Sequence, residues 1–82
     1  MDYIKLVKTI ILMLVQNKDA VSVNEYETDD EEVMQIEVMV DQDDLGTVIG
    51  RNGRTINSIR NVVSVASLSN GGKKIRINVD SY

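Results

Sequence analysis

The sequence contains no cysteine, histidine, tryptophan, phenylalanine or proline. Without cysteine, the chain cannot form a disulfide framework, a zinc–thiolate centre or a cysteine nucleophile. Without histidine, it has no Ser-His triad, no imidazole metal ligand and no side chain that ordinarily titrates near neutral pH. Because the remaining Ser, Thr, Lys and carboxylate residues form no evident nucleophile–base set, we expect a protein that is not an enzyme and uses no cofactor and no small-molecule substrate.

Long hydrophobic runs are also absent. The longest apolar run, residues 10–15, has six residues, whereas a membrane-spanning helix needs about 20. A signal peptide needs a basic start and a small-residue cleavage site, but Asp2 lies near the start and residues 16–19 offer no such site. We therefore expect a soluble, cytoplasmic protein that makes no membrane contact.

The 82 residues are enough for one domain, which we expect to span residues 1–82. The hydrophobic periodicity predicts a helix over 3–15, strands over 21–28 and 34–40 that form a hairpin, helices over 42–49 and 54–68, and a strand over 73–80. Asp2 and Asp41 are the predicted N-caps, and Asp44 is a capping-box partner for Asp41. The order α-β-β-α-α-β, with a three-stranded sheet packed on three helices, indicates a two-layer α+β domain.

In the first and last helices, apolar residues cover a wide arc of the helix surface. In the last helix the predicted polar half contains Asn57, Arg60, Asn61, Ser64 and Ser67. Core packing accounts for most of the apolar residues in both helices. The residues at the edges of these arcs, or outside them, are the predicted contacts with another chain: Leu12, Val62 and Val65.

A glycine-rich turn joins the last two helices and is the most informative segment. It reads Gly50-Arg51-Asn52-Gly53, and the final helix begins directly after it at Arg54. Glycine permits unusual backbone angles and lets a ligand approach the backbone closely. The N-terminus of the following helix favours an anion such as a phosphate. Arg51 and Arg54 add positive charge, and Asn52 adds a neutral donor.

Other glycine-rich motifs do not fit this segment. A P-loop ending at Gly53 needs glycine at position 48 and lysine at position 54, where the chain has Val48 and Arg54. The dinucleotide-binding fingerprint also needs glycine at position 48, and it follows a strand rather than a helix. A calcium-binding EF-hand beginning at position 41 fails at Leu45 and Asn52. No metal site is therefore predicted.

The segment resembles the KH module, whose signature is a G-x-x-G loop between two helices with aliphatic residues at set positions around it. Val48 and Ile49 precede the loop, and Ile56 and Ile59 follow it. The predicted element order matches the type II arrangement of this module, and the resemblance covers the whole chain. Residues 46–54, together with the first helix and residues 21–25, are similar to the small bacterial KhpA family.

The resemblance to the KhpA family implies several functional properties. Its members are cytoplasmic RNA-binding proteins that form homodimers and associate with a larger KH protein, KhpB. They are linked to RNA chaperoning, a post-transcriptional role, and to control of cell growth and shape. The resemblance also implies that the G-x-x-G loop grips the backbone of about four nucleotides of single-stranded RNA, with Ile49 and neighbouring aliphatic residues as an apolar floor for the bases.

The placement of charge agrees with RNA binding although the net charge of −4 does not. Residues 1–46 hold 12 acidic and 3 basic residues, whereas residues 47–82 hold 1 acidic and 6 basic residues. The basic half contains the loop, and its cations are Arg51, Arg54, Arg60, Lys73, Lys74 and Arg76. The predicted RNA-binding residues are Ile49, Gly50, Arg51, Asn52, Gly53, Arg54 and Arg60. Whether Arg60, Lys73, Lys74 and Arg76 contact RNA directly is left open.

A second hypothesis remains open. A KH fold could serve mainly as a protein–protein adaptor with little RNA binding of its own. The Arg51 and Asn52 side chains in the middle of the loop favour RNA, since acidic residues there would favour the adaptor. With few cations and no aromatic residue in the loop or its helix, we expect weak binding that a second chain would strengthen by avidity.

Overall fold

The computed structural model describes residues 2–82. Its elements follow the predicted order: α1 (Tyr3–Leu14), β1 (Ser22–Tyr26), β2 (Val33–Val40), α2 (Gln42–Ile49), α3 (Arg54–Ser69) and β3 (Lys74–Ser81). The α+β class and the α-β-β-α-α-β order are therefore confirmed. Strand β1 is shorter than predicted, because the residues after Tyr26 belong to the acidic turn rather than to the ladder. No helix in this part of the chain is long and apolar enough to cross a membrane.

The three strands form one mixed sheet in the order β1-β2-β3. Strands β1 and β2 form the predicted antiparallel hairpin, with Ser22 opposite Met39. Strand β3 lies parallel to β2 on its other side, with Ile77 opposite Ile36. The connection from β2 to β3 consists of α2, the glycine-rich turn and α3, as a parallel pair requires a crossover. The turn is thus held between two helices that are both anchored to the sheet.

The core lies between one face of the sheet and the helices. On β2 the alternate residues Ile36, Val38 and Val40 are fully buried, and the neighbouring strand adds Ile75 and Ile77. The helices contribute buried aliphatic side chains to the same cluster, namely Val7, Ile11, Val48, Ile56, Ile59 and Val63. Each buried side chain of this kind contributes about 1.5–3 kcal/mol by leaving water. The other residues of each strand face away from the helices.

Both predicted helix caps are present. The Asp2 carboxylate accepts a hydrogen bond from the Lys5 N–H (3.1 Å) at the start of α1. The Asp41 carboxylate accepts one from the Asp43 N–H (2.9 Å) at the start of α2. Each cap satisfies a backbone donor that has no partner within its helix, and its negative charge suits the positive end of the helix.

The predicted capping-box role of Asp44 is wrong. Its carboxylate does not reach back to Asp41 but accepts hydrogen bonds from the N–H groups of Gln16 and Asn17, both at 3.0 Å. These bonds tie the segment after α1 to α2, and Asp44 is buried there. The same two hydrogen bonds, helped by Lys18, lower the pKa of Asp44 below its ordinary value. Its stabilising contribution is therefore present above about pH 4 and is lost as the pH falls through the lowered pKa.

Two residues of the predicted helix faces have different environments from those expected. Leu12 is half-buried and packs against the core, so only part of its surface is available to another chain. Ser67, predicted on the polar half of α3, is fully buried and donates from its hydroxyl to the Lys73 carbonyl. Gly72 allows this approach, because a Cβ there would lie 2.7 Å from the Ser67 Oγ. The last turn of α3 is thereby joined to the start of β3.

Candidate nucleic-acid interface

The glycine-rich turn has a backbone that few sequences adopt. Gly50 is the C-cap of helix α2. It has φ 76° and ψ 172° and donates its N–H to the Gly46 carbonyl (2.9 Å). A single 3-10 turn follows over Arg51–Gly53. Asn52 (φ 57°) and Gly53 (φ 75°) both have left-handed backbone angles. Three of the four loop residues therefore have positive φ, a region that ordinary residues avoid.

Both the limited space and the backbone angles at position 50 require glycine. A Cβ at this position would overlap the Thr55 hydroxyl and would lie 2.9 Å from the Thr55 backbone nitrogen. Gly53 also has a positive φ, but the nearest atom to a Cβ there would be the Asn57 Nδ2 at 3.7 Å. The turn therefore folds tightly against the first residues of α3 at Gly50 and has more room at Gly53.

The loop presents side-chain donors to solvent. The backbone N–H groups of Gly53 and Arg54 bond within the turn, to the carbonyls of Gly50 and Arg51. The side chains of Arg51, Asn52 and Arg54 are exposed. An N–H is a strong hydrogen-bonding group that needs a partner. The loop thus offers free donors and positive charge on one exposed turn.

The start of α3 differs from the starts of the other two helices. Asp2 and Asp41 cap α1 and α2, but Gly53 supplies no side-chain cap to α3, and the first turn of α3 contains no acidic residue. The positive end of the 16-residue α3 dipole is therefore not offset by a carboxylate. Such an end favours an anion from outside the domain.

Leu45 joins Ile49 as a candidate for the predicted apolar floor. Ile49, at the end of α2, is half-buried and packs against the core. Leu45 is similarly half-buried one turn earlier, so the two side chains share one face of the helix. The i, i+4 spacing of these aliphatic residues in the sequence is the signal that could have indicated their shared face. Both side chains are partly exposed, and both residues are close to the loop in sequence.

The remaining cations do not gather at the loop. The Arg60 guanidinium bonds to the carbonyl of Ile77 on β3. Lys73 and Lys74 lie at the far end of α3 and, with Asp30, Glu31 and Glu32, line an open groove of about 700 Å³. A helix of 16 residues is about 24 Å long. Arg51 and Arg54 are therefore the only cations of the structurally described chain in the loop and the turn that follows it.

The acidic hairpin tip, residues 27–32, lies beside Lys73 and Lys74 rather than beside the loop. Its shape is held by hydrogen bonds, for example from the Glu32 N–H to the Asp30 carboxylate (2.9 Å). The separation from the loop approaches the length of α3 and exceeds the Debye length of about 10 Å at 0.1 M salt. The negative charge of the tip is therefore screened from the loop at ordinary ionic strength.

These features together define a type II KH domain: a G-x-x-G turn between two helices, backed by a three-stranded sheet in the order α-β-β-α-α-β. Comparison with known proteins identifies the family. The family model for the KH domain of KhpA/KhpB matches residues 4–79. The chain therefore belongs to the KhpA/KhpB family of KH-domain proteins.

Individual relatives agree with this assignment. The RNA-binding protein KhpA of Halalkalibacterium halodurans is 40% identical over 75 residues, which are 92% of each chain. The RNA-binding protein KhpA of Streptococcus pneumoniae serotype 4 is 38% identical over 81 residues, 98% of each chain. These relatives are named as RNA-binding proteins and not as enzymes, in agreement with the expectation from the sequence.

A solved structure has the same fold within a larger protein. Aquifex aeolicus Era, crystallised as a single-residue variant bound to GDP and aluminium fluoride, superposes with a TM-score of 0.73 and 18% identity. The match covers 98% of this chain but only 30% of the Era chain. At this identity the likeness concerns the fold alone.

Proposed function

We propose that this chain binds single-stranded RNA by gripping the sugar-phosphate backbone with its G-x-x-G loop. The observation that carries the proposal is the uncapped start of α3, which has no acidic residue in its first turn and presents the exposed side chains of Arg51, Asn52 and Arg54. The names of the KhpA relatives support RNA as the ligand. The proposed RNA-binding residues in the loop are Gly50, Arg51, Asn52, Gly53 and Arg54.

The chemistry of the loop suits a phosphate group. Backbone N–H groups at the start of α3 would donate to phosphate oxygens, and the α3 dipole would favour the negative charge of those oxygens. Arg51 and Arg54 would add charge from either side of the loop, while Asn52 donates without charge. Ile49 and Leu45 would contact the bases that follow, without hydrogen bonds that select one base over another.

A binding titration with single-stranded RNA tests this proposal. Fluorescence anisotropy of a labelled eight-nucleotide RNA should show binding that weakens between 50 and 200 mM salt. If the loop neutralises two or three phosphates, the slope of log K against log salt is about −1.4 to −2.1, which corresponds to an approximately 7- to 20-fold loss of affinity. No binding at 50 mM salt, or binding indifferent to salt, would contradict the proposal.

We also propose that the chain acts in the cytoplasm as an RNA chaperone or post-transcriptional regulator, with a KhpB-type partner, in control of growth and cell shape. The support is the match to the KhpA/KhpB family and the small size of the loop. Few phosphate contacts and no aromatic stacking platform mean weak binding with little sequence preference. Such binding lets a protein release and rebind RNA strands as they refold.

A homodimer would supply the affinity that one loop lacks. Helix α3 exposes 56% of Val62, 64% of Val65 and 64% of Leu68. Large exposed aliphatic residues on one helix favour contact with another chain, and a second copy would bring a second loop to the same RNA. The same surface also supports the adaptor hypothesis, in which protein contact is the main activity.

Light scattering across a dilution series tests the homodimer. The wild-type protein should change from dimer to monomer on dilution, and Val62→Asp/Val65→Asp should be monomeric throughout, because the new carboxylates would be buried in the interface. Lys8→Asp/Thr9→Asp, on the exposed side of α1, is the control and should behave as wild type. A wild-type monomer at every concentration, or a dimeric double variant, would refute this interface.

A further inference from the structure

Arg60 makes three hydrogen bonds to two acceptor atoms, and both acceptors are neutral. Its Nε and Nη2 donate to the Ile77 carbonyl at 3.1 and 3.0 Å, and its Nη1 donates to the Asn57 side-chain oxygen at 3.1 Å. The side chain is half-buried. Of the five N–H donors of an arginine, three are therefore already used within the domain.

The Ile77 carbonyl lies on the free edge of the sheet. Strand β3 is an edge strand, since the order is β1-β2-β3. The N–H groups of Lys74 and Tyr82 donate to the carbonyls of Glu32 and Val40. The backbone N–H and C=O groups of the even-numbered β3 residues therefore point toward β2. The odd-numbered groups, including Ile77, point away from it. Arg60 thus caps a carbonyl that has no partner in the ladder and holds α3 against β3.

The third hydrogen bond continues toward the loop. Gly53, Asn57 and Arg60 follow the i, i+4, i+7 spacing that places residues on one face of α3. An arginine can only donate, so its bond to the Asn57 oxygen leaves the Asn57 Nδ2 on the other side of the amide. That nitrogen is the one atom within 4 Å of the position that a Gly53 Cβ would occupy, at 3.7 Å. The Arg60 guanidinium therefore orients the side chain that borders Gly53.

We propose that Arg60 is a positioning residue for the loop and not itself a phosphate contact. It fixes the Asn57 amide beside Gly53 and sets the orientation of the turn relative to the edge of β3. Arg60 lies seven positions after Gly53, a helical rise of about 10 Å, and most of the Arg60 donors are occupied. This inference rests on the proposed function and refines the prediction from sequence, which placed Arg60 among the RNA contacts.

The salt dependence of RNA binding separates positioning from direct contact. Arg60→Ala should weaken RNA binding about fivefold with an unchanged salt slope, because no phosphate contact is lost. Asn57→Ala should have a similar effect, and the double variant should be no weaker than the stronger single variant, since the two residues act in series. Asn61→Ala, an exposed neighbour on the same helix, is the matched control and should bind as wild type.

A spectroscopic readout excludes a merely structural role for Arg60. In the free protein, the backbone amide resonances of Asn52 and Gly53 should shift in both Asn57→Ala and Arg60→Ala while residues of β1 stay unchanged. Asn57→Ala keeps the bonds between Arg60 and Ile77, so it remains folded even if Arg60→Ala is destabilised. Arg60→Lys should bind as weakly as Arg60→Ala, because an ammonium group cannot reproduce the three-point arrangement.

Four results would overturn the inference: unchanged binding in Arg60→Ala, full binding by Arg60→Lys, unshifted loop amides, or a salt slope that is reduced by about 0.7, the value of one lost phosphate contact on a single strand. The variant Arg51→Ala distinguishes a failure of the positioning role of Arg60 from a failure of the loop as the RNA site. If Arg51→Ala lowers the slope while Arg60→Ala has no effect, the loop binds RNA and only the positioning role fails. If neither variant changes RNA binding, the loop itself is not the RNA site.

Discussion

Gly50→Ala should destabilise the domain by more than about 3 kcal/mol. Its backbone angles, φ 76° and ψ 172°, lie in a region that is nearly exclusive to glycine and that costs other residues about 1–3 kcal/mol. The new Cβ would also overlap Thr55, whose backbone nitrogen lies 2.9 Å away and cannot move without shifting the start of α3. A domain of this size has a total stability of only about 4–12 kcal/mol. Urea denaturation followed by circular dichroism would measure the loss.

The other glycines of this region provide graded controls. Gly53→Ala has space for its Cβ, so only the cost of a left-handed backbone for alanine should lower the stability, by about 1–2 kcal/mol. Gly46→Ala lies within α2 with no atom within 4 Å of its Cβ, so it should stabilise the protein by about 0.5–1 kcal/mol. If Gly50→Ala is as stable as Gly46→Ala, the described geometry of the turn is incorrect.

Arg51→Asp/Asn52→Asp should abolish RNA binding and leave the domain folded. Both side chains are exposed, and aspartate tolerates the left-handed angles of position 52. The substitutions remove a charged donor and a neutral donor, and they place two carboxylates at the start of α3, where a phosphate would sit. The loss of a charge-assisted hydrogen bond together with the new repulsion should weaken binding at least about hundredfold. Anisotropy titration at 50 mM salt measures the loss, and circular dichroism reports folding.

A charge-matched variant shows whether position or net charge is responsible. Lys8→Asp/Thr9→Asp changes the net charge by the same amount, but it does so on the exposed side of α1. Its affinity should fall only slightly. If both double variants lose RNA binding equally, binding reflects the overall charge of the protein. If both bind like wild type, the loop does not contact RNA.

The helices, the hairpin and the loop could be predicted because their signals are local. The alternation of Met34, Ile36, Val38 and Val40 predicted β2, since side chains of a strand alternate between its two faces. Asp2 and Asp41 marked helix starts through contacts only two or three residues away. The Gly50–Gly53 pair predicted the turn because its backbone angles exclude most other residues.

The environments of several polar residues could not be predicted, because their partners are distant in sequence. Asp44 binds backbone groups 27 and 28 residues earlier in the chain. Arg60 caps a carbonyl 17 residues later. Spacing alone reveals neither partner, so the sequence predicts a local helix cap for Asp44 and an RNA contact for Arg60. Ser67 has a nearer partner, Lys73, but the turn between them decides that contact. The candidate site was therefore predictable in its loop but not in the contacts that support the loop.

The distribution of charge was predictable in outline, and the structure refines it. Four of the six cations in the basic half of the chain form two separate groups at the two ends of α3. Lys73 and Lys74 lie beside the acidic tip, whereas Arg51 and Arg54 are alone at the loop and the start of α3. RNA attraction should therefore come from the loop end of the domain and not from the basic half as a whole.

Amide chemical shifts recorded during titration with a short single-stranded RNA would locate the RNA contact residue by residue. We expect the largest changes at residues 49–55, with the amides of Arg51 and Asn52 foremost, and no response from the hairpin tip at residues 27–32. Changes confined to the tip or to the exposed face of α3, with the loop amides unmoved at saturation, would contradict RNA binding by the loop.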